Sequence, residues 1–161
     1  MSLNVRRARP GEAGLVLSFI RELAEYEKLT HEVEATEAMI ADALFGTNPR
    51  LYCAITEWSG EAVGFAVWFV SFSTFSGRHG IYLEDLYVRP SHRGKGIGKA
   101  LLNYLAKECV ENGWSRLQWA VLDWNAPSIA FYKSLGAVMM DDWTLCRVTG
   151  PALQALAEGA R

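Results

Sequence analysis

One stretch restricts the possible folds more than any other. The apolar run Ile81 to Val88 passes through Arg89-Pro90 into Arg93-Gly94-Lys95-Gly96-Ile97-Gly98. Helical spacing of Leu101, Leu102, Leu105 and Val110 then follows, closed by Gly113. A strand therefore ends where a helix begins, with glycines between them. The first-turn N–H groups of a helix have no partner, and its dipole is positive there. Glycines let the backbone approach an anion closely, and Arg93, Lys95 and Lys99 add positive charge at the same point. Such a loop suits a pyrophosphate, although an ordinary glycine turn before a helix has the same outline. Two familiar phosphate loops do not fit. A Walker loop needs Gly-Lys-Ser/Thr, whereas Lys99 is followed by Ala100 and position 93 is arginine. A dinucleotide fingerprint needs glycine or alanine at position 99 and a place in the first βα turn of a parallel sheet.

The chain around this loop supplies alternating elements. Leu3 to Ala8 reads as a strand, and Pro10 opens a helix carrying Leu15, Val16, Phe19, Ile20 and Leu23 that ends near Tyr26 to Lys28. A second helix runs from Thr36 to Phe45, with Gly46 as its stop. Leu51 to Trp58 and Ala62 to Phe72 are β-rich and joined by Ser59-Gly60, which predicts a tight hairpin. Leu117 to Leu122 predicts a buried strand. Asn125-Ala126-Pro127 starts a short helix through Leu135, which Gly136 ends. Strands near Val138 to Met140 and Trp143 to Val148 then precede a terminal helix begun by Thr149, Gly150 and Pro151. Paired strands with interspersed helices indicate an α+β sheet rather than a purely parallel one.

Composition excludes several function classes. With 161 residues, half of them hydrophobic, the chain can bury a core as one domain spanning 1–161. A formal charge of −2 gives no basic field for nucleic acid. Cys53, Cys109 and Cys146 are odd in number, widely spaced and lie in apolar runs, so they read as buried thiols in a reducing compartment. They and His31, His79 and His92 lack ligand spacing, so no metal is expected. The N-terminus has no signal-peptide pattern, and Val63 to Val70 is far short of the roughly 20 residues a membrane helix needs. The expectation is a cytoplasmic protein with no membrane partner.

The loop Arg93 to Gly98, preceded by Leu83-Glu84-Asp85-Leu86-Tyr87-Val88, resembles the pyrophosphate loop of the GNAT superfamily of N-acetyltransferases. Trp124-Asn125-Ala126-Pro127-Ser128-Ile129-Ala130-Phe131-Tyr132-Lys133 and Gly136-Ala137 resemble that superfamily's last signature. Glu22-Leu23-Ala24-Glu25-Tyr26-Glu27 and Gly64-Phe65-Ala66 are similar to its spermidine/spermine branch. The resemblance implies a mixed, mostly antiparallel sheet of about seven strands, with helices on both faces and a splayed parallel strand pair. It implies acetyl-coenzyme A with its pantetheine arm on the backbone of Leu86, Tyr87 and Val88. The phosphates would then meet Arg93, Gly94, Lys95, Gly96, Ile97, Gly98 and Lys99, and Asn125 and Lys133 would contact the arm and the adenosine phosphates. It also implies a homodimer and a small amine as acceptor.

Acetyl transfer asks for a neutral amine, a donor for the thioester oxygen and a proton for the departing thiolate. With a lysine-like pKa of ~10.4, only about one alkyl amine in 2,500 is neutral at pH 7. Strand alternation sends Glu84 and Asp85 to opposite faces unless a bulge intervenes. Carried over from the polyamine branch, Glu84 is the base acting through water and Asp85 belongs to the substrate site. Tyr132 is the acid, Tyr26 and Glu27 line the acceptor channel, and Trp124 and Trp143 cover a methylene chain or a cation. The expected acceptor is a diamine or polyamine. The alternatives are a lysine-like amino acid such as thialysine, a protein lysine, or coenzyme A binding without turnover.

Overall fold

A computed structural model of the chain describes residues 2–159. It divides into two compact units, the first ending at Leu122 and the second beginning at Asp123. The first holds a five-stranded sheet in the order β1 (Leu3–Arg7), β2 (Tyr52–Trp58), β3 (Glu61–Ser73), β4 (Arg78–Val88), β5 (Leu117–Gln118). The first four strands pair antiparallel. Ser59 and Gly60 turn β2 into β3 with φ of 51° and 86°, the double positive φ that matches the twist of a two-residue hairpin.

Alternation along the strands gives the sheet two buried faces. On one, α1 (Ala13–Tyr26) and α2 (Glu37–Phe45) set Val16, Phe19, Leu23, Ile40 and Leu44 against Ile55, Phe65, Val67 and Tyr87. Phe19 stacks on Phe65 with centroids 5.2 Å apart. The opposite face carries α3 (Ile97–Glu111), whose Tyr104 meets Trp68 edge-on at 6.3 Å. Arg7 of β1 extends over Trp68 and pairs with Glu108 of α3 at 2.6 Å. Arg6 binds Glu12, ahead of α1, at 2.8 Å and Glu57 of β2 at 2.9 Å, which fastens three segments together.

β5 runs parallel to β4 but pairs with it only through Ile81↔Leu117 and Tyr82↔Gln118. The strand expected to be buried over Leu117–Leu122 is thus cut short and none of its residues is fully buried, and among the described residues the β5 side of β4 carries no ladder beyond Tyr82. This is the parting of a parallel pair that the resemblance implies.

The second unit consists of α4 (Ala126–Ser134) and α5 (Gly150–Ala157) with an irregular segment between them. Asn125 caps α4 by accepting from the Ser128 N–H at 3.4 Å. The strands expected near Val138–Met140 and Trp143–Val148 do not form, so among the described residues the sheet has five strands rather than about seven. A strand is completed by the ladder beside it rather than by its own β-rich composition. Val138, Trp143 and Leu145 are instead exposed by 77–78%, and Cys146, expected as a buried thiol, is exposed in the same segment, whereas Cys53 and Cys109 are buried. Among the described residues, no helix is long and apolar enough to cross a membrane.

Candidate active site

Strand β4 is bulged where its acids lie. Val67 pairs with Asp85 and Trp68 with Leu83, so Glu84 is the extra residue. Glu84 is exposed, and Asp85 turns toward the face covered by α1, in register with Val67. Burial pushes the Asp85 carboxyl up to about 7, and the charges of Glu84 and Glu27 push in the same direction. Glu27, the residue after α1, is half-buried and is itself raised by desolvation. Asp85 is thus desolvated and faces the charges of Glu84 and Glu27 where α1 ends beside β4. Relief of such repulsion comes from protonation or from a bound cation.

After β4, one 3₁₀ turn at Pro90–His92 leads into the glycine loop. Gly96 occupies the N-cap of α3 with φ 80°, and Gly94 has φ 76°. An added Cβ would meet nothing within 4 Å at either position, so backbone conformation rather than space calls for glycine. The first helical bond runs from the Ala100 N–H to the Gly96 carbonyl, which leaves the N–H groups of Ile97, Gly98 and Lys99 without an intrahelical partner. Ile97 is buried and anchors the turn, while Arg93, Gly94, Lys95, Gly96 and Lys99 are exposed. The loop has the makings of an anion cradle, and a pyrophosphate fits its chemistry.

Two of the loop's cations, Arg93 and Lys95, rest on rings rather than on carboxylates. Arg93 lies 4.8 Å from the Tyr26 ring centroid and 5.6 Å from that of Tyr87, and its Nε donates to the Val88 carbonyl at 2.9 Å. Lys95 lies 5.1 Å from Trp58. Among the described residues, no ion pair joins Arg93, Lys95 or Lys99 to an acid. Behind them, Arg89 binds Glu22 at 3.2 Å and donates to the Ala62 carbonyl, and the Tyr87 hydroxyl donates to Glu22 at 3.4 Å. Sequence reasoning missed the supporting roles of Glu22, Arg89 and Trp58. Its one available signal was Glu22 within the α1 motif.

The first unit thus brings Tyr26, Glu27, Glu84, Asp85, Tyr87, Val88 and the glycine loop into one neighbourhood, with Leu86 between Asp85 and Tyr87 on β4. Gly64 permits this packing, because a Cβ there would come within 2.7 Å of the Tyr87 carbonyl and 2.8 Å of Thr56 Oγ1. In the second unit, Asn125 is buried, Tyr132 is half-buried on α4 beside Phe131, and Lys133, Trp124 and Trp143 are exposed. Among the described residues, no group of three or more His, Cys, Asp or Glu side chains is placed to hold a metal ion.

Residues 17–137 match the acetyltransferase (GNAT) family. A thialysine N-epsilon-acetyltransferase of Sus scrofa is 39% identical over 97% of this chain and 98% of its own length. A human spermidine/spermine N(1)-acetyltransferase-like protein 1 is 31% identical over 95% of this chain, though over only 23% of its own length. Among solved structures, an integron cassette protein from the mobile metagenome of V. cholerae superposes with a TM-score of 0.80 at 29% identity, covering 98% of this chain and 99% of its own.

Proposed function

Since the chain belongs to the GNAT acetyltransferase family and is an acetyl-coenzyme A-dependent N-acetyltransferase, we propose that its acceptor is the primary amine of a small cation, a diamine or polyamine. The observation that carries this reading is the buried Asp85 carboxyl, raised to about 7 by desolvation first and by the charges of Glu84 and Glu27 beside it. A second ammonium on the acceptor would displace the Asp85 proton and take its place. Tyr26 and Glu27 line the acceptor site.

In this reading, the backbone of Leu86, Tyr87 and Val88 holds the pantetheine arm. Arg93 to Lys99 hold the phosphates, and Asn125 and Lys133 add contacts to the cofactor. Acetyl-coenzyme A supplies the thioester carbonyl that the amine attacks. Glu84, exposed on the bulge and open to water, takes the amine's proton through a water molecule. Tyr132 gives its proton to the departing thiolate; from a phenol near 10 to a thiol near 8.5 this is uphill by roughly 2 kcal/mol, tolerable within a catalytic step. The chain acts as one acetyltransferase domain, a reading supported by a family match that runs through the boundary at Leu122 as far as residue 137. The chain works in the cytoplasm, where free thiols at Cys53, Cys109 and Cys146 persist. It works as a homodimer: Val138, Met140, Trp143, Leu145, Leu153 and Leu156 are all more than half exposed, a supply of apolar surface for a second copy. Sedimentation at twice the 17.9 kDa chain mass tests that point, and a monomer at micromolar concentration removes it.

A second reading, a lysine-like amino acid such as thialysine, is favoured by the name and 39% identity of the Sus scrofa relative. Turnover of acetyl-coenzyme A against diamines, polyamines, thialysine, lysine and lysine peptides decides between them. Diamines should show the highest kcat/KM. Preference for thialysine supports the second reading, preference for peptides indicates a protein substrate, and binding without turnover on any amine indicates a coenzyme A-binding module.

A further inference from the structure

Arg93 belongs to the cofactor loop, yet its guanidinium lies on the ring of Tyr26, the last residue of α1 and the neighbour of Glu27. It is held there by a second ring, Tyr87, and by the bond from Nε to the Val88 carbonyl. Nε is committed, which makes the two Nη nitrogens the donors for an anion. A ring face that attracts a guanidinium attracts an alkylammonium by the same quadrupole. The protein's own cation thus stands beside the place where an acceptor cation would be drawn by Tyr26, Glu27 and Asp85.

We propose that Arg93 is a positioning residue that couples the two substrates: its charge weakens acceptor binding at the Tyr26–Glu27 end of α1 until cofactor phosphate neutralises it. No bond is made or broken in this step. By linkage, coenzyme A and the acceptor raise each other's affinity by the same factor. The inference rests on the acceptor site proposed above.

Calorimetry on the full chain tests it, with 1,3-diaminopropane and unacetylated coenzyme A as probes so that nothing turns over. In the parent, saturating coenzyme A should tighten diamine binding by about 10-fold. In Arg93→Gln, the free protein should bind the diamine more tightly than the free parent does, and the coenzyme A effect should shrink to less than about 2-fold. Loss of mere structural support would weaken diamine binding instead. Arg93→Lys keeps the charge and should keep the coupling. Pantetheine, which lacks the phosphates, should fail to tighten diamine binding in the unaltered protein, a comparison that needs no variant. Parent-like coupling in Arg93→Gln, weaker diamine binding to that free variant, or an equal effect of pantetheine and coenzyme A would each overturn the proposal while leaving the acceptor site standing. A parent that binds coenzyme A but no diamine would overturn both.

Discussion

Asp85 illustrates how a single side chain carries opposite consequences for stability and for function. Its folded-state pKa of about 7 lies above the ordinary carboxyl value because the ionised form is desolvated and faces Glu84 and Glu27. Below the ordinary value, both folded and unfolded chains hold the proton and no penalty exists. As pH rises from there toward 7 the unfolded chain ionises freely while the folded chain resists, and above 7 the full cost is paid in stability. Asp85→Asn should therefore raise the melting temperature at pH 8 and leave it nearly unchanged near pH 3, as thermal unfolding at both pH values would show. An equal shift at both would mean that the side chain's shape, not its charge, sets the effect. Tyr132→Phe tests the acid, since it deletes a hydroxyl and keeps the ring beside Phe131. Turnover should fall by about 10²- to 10⁴-fold in kcat with KM for both substrates little changed. A variant as fast as the parent where chemistry limits the rate would assign that proton elsewhere.

At the scale of elements, the junction of β4 and α3 sets what the loop can hold. The Gly96 backbone adopts φ 80°, which costs an L-residue about 1–2 kcal/mol, and three N–H groups of α3 follow it. Gly96→Asp combines that strain with a negative charge where phosphate is expected. Coenzyme A affinity should drop by about 10-fold or more by calorimetry, in a variant whose circular dichroism is that of the parent. Retained affinity would remove the loop from the cofactor site. The bulge at Glu84 is the other decisive local device, because without it Asp85 and Tyr87 would share the face of Leu83 and Trp68 that α3 covers instead of facing α1.

For the whole molecule, the first unit is fastened by Arg6, which joins β1, the residue before α1 and β2. Arg6 holds the Glu12 and Glu57 carboxyls below their ordinary range, chiefly by side-chain hydrogen bonds. That contribution is present above the ordinary carboxyl pKa and lost as pH falls through the lowered values. Arg6→Met should cost about 2 kcal/mol in urea unfolding at pH 7, and much less near pH 3. A pH-independent cost would assign the effect to packing of the arginine stem. Much of this architecture is legible in the residues alone. The Ser59-Gly60 hairpin, the helical stripes of α1 and α3 and the glycine loop between β4 and α3 depend on local φ preference and on periodicity, which a chain carries in every window of itself. The tertiary structure alone decided the rest. Val67 and Trp68 of β3 set the register that makes Glu84 a bulge, burial under α1 with the charges of Glu84 and Glu27 raises Asp85, and Tyr26 and Tyr87 receive Arg93. The β-rich residues 138–148 stay outside the sheet for the same reason. Register, burial and charge environment are properties of partners distant in the chain, and no local pattern contains them.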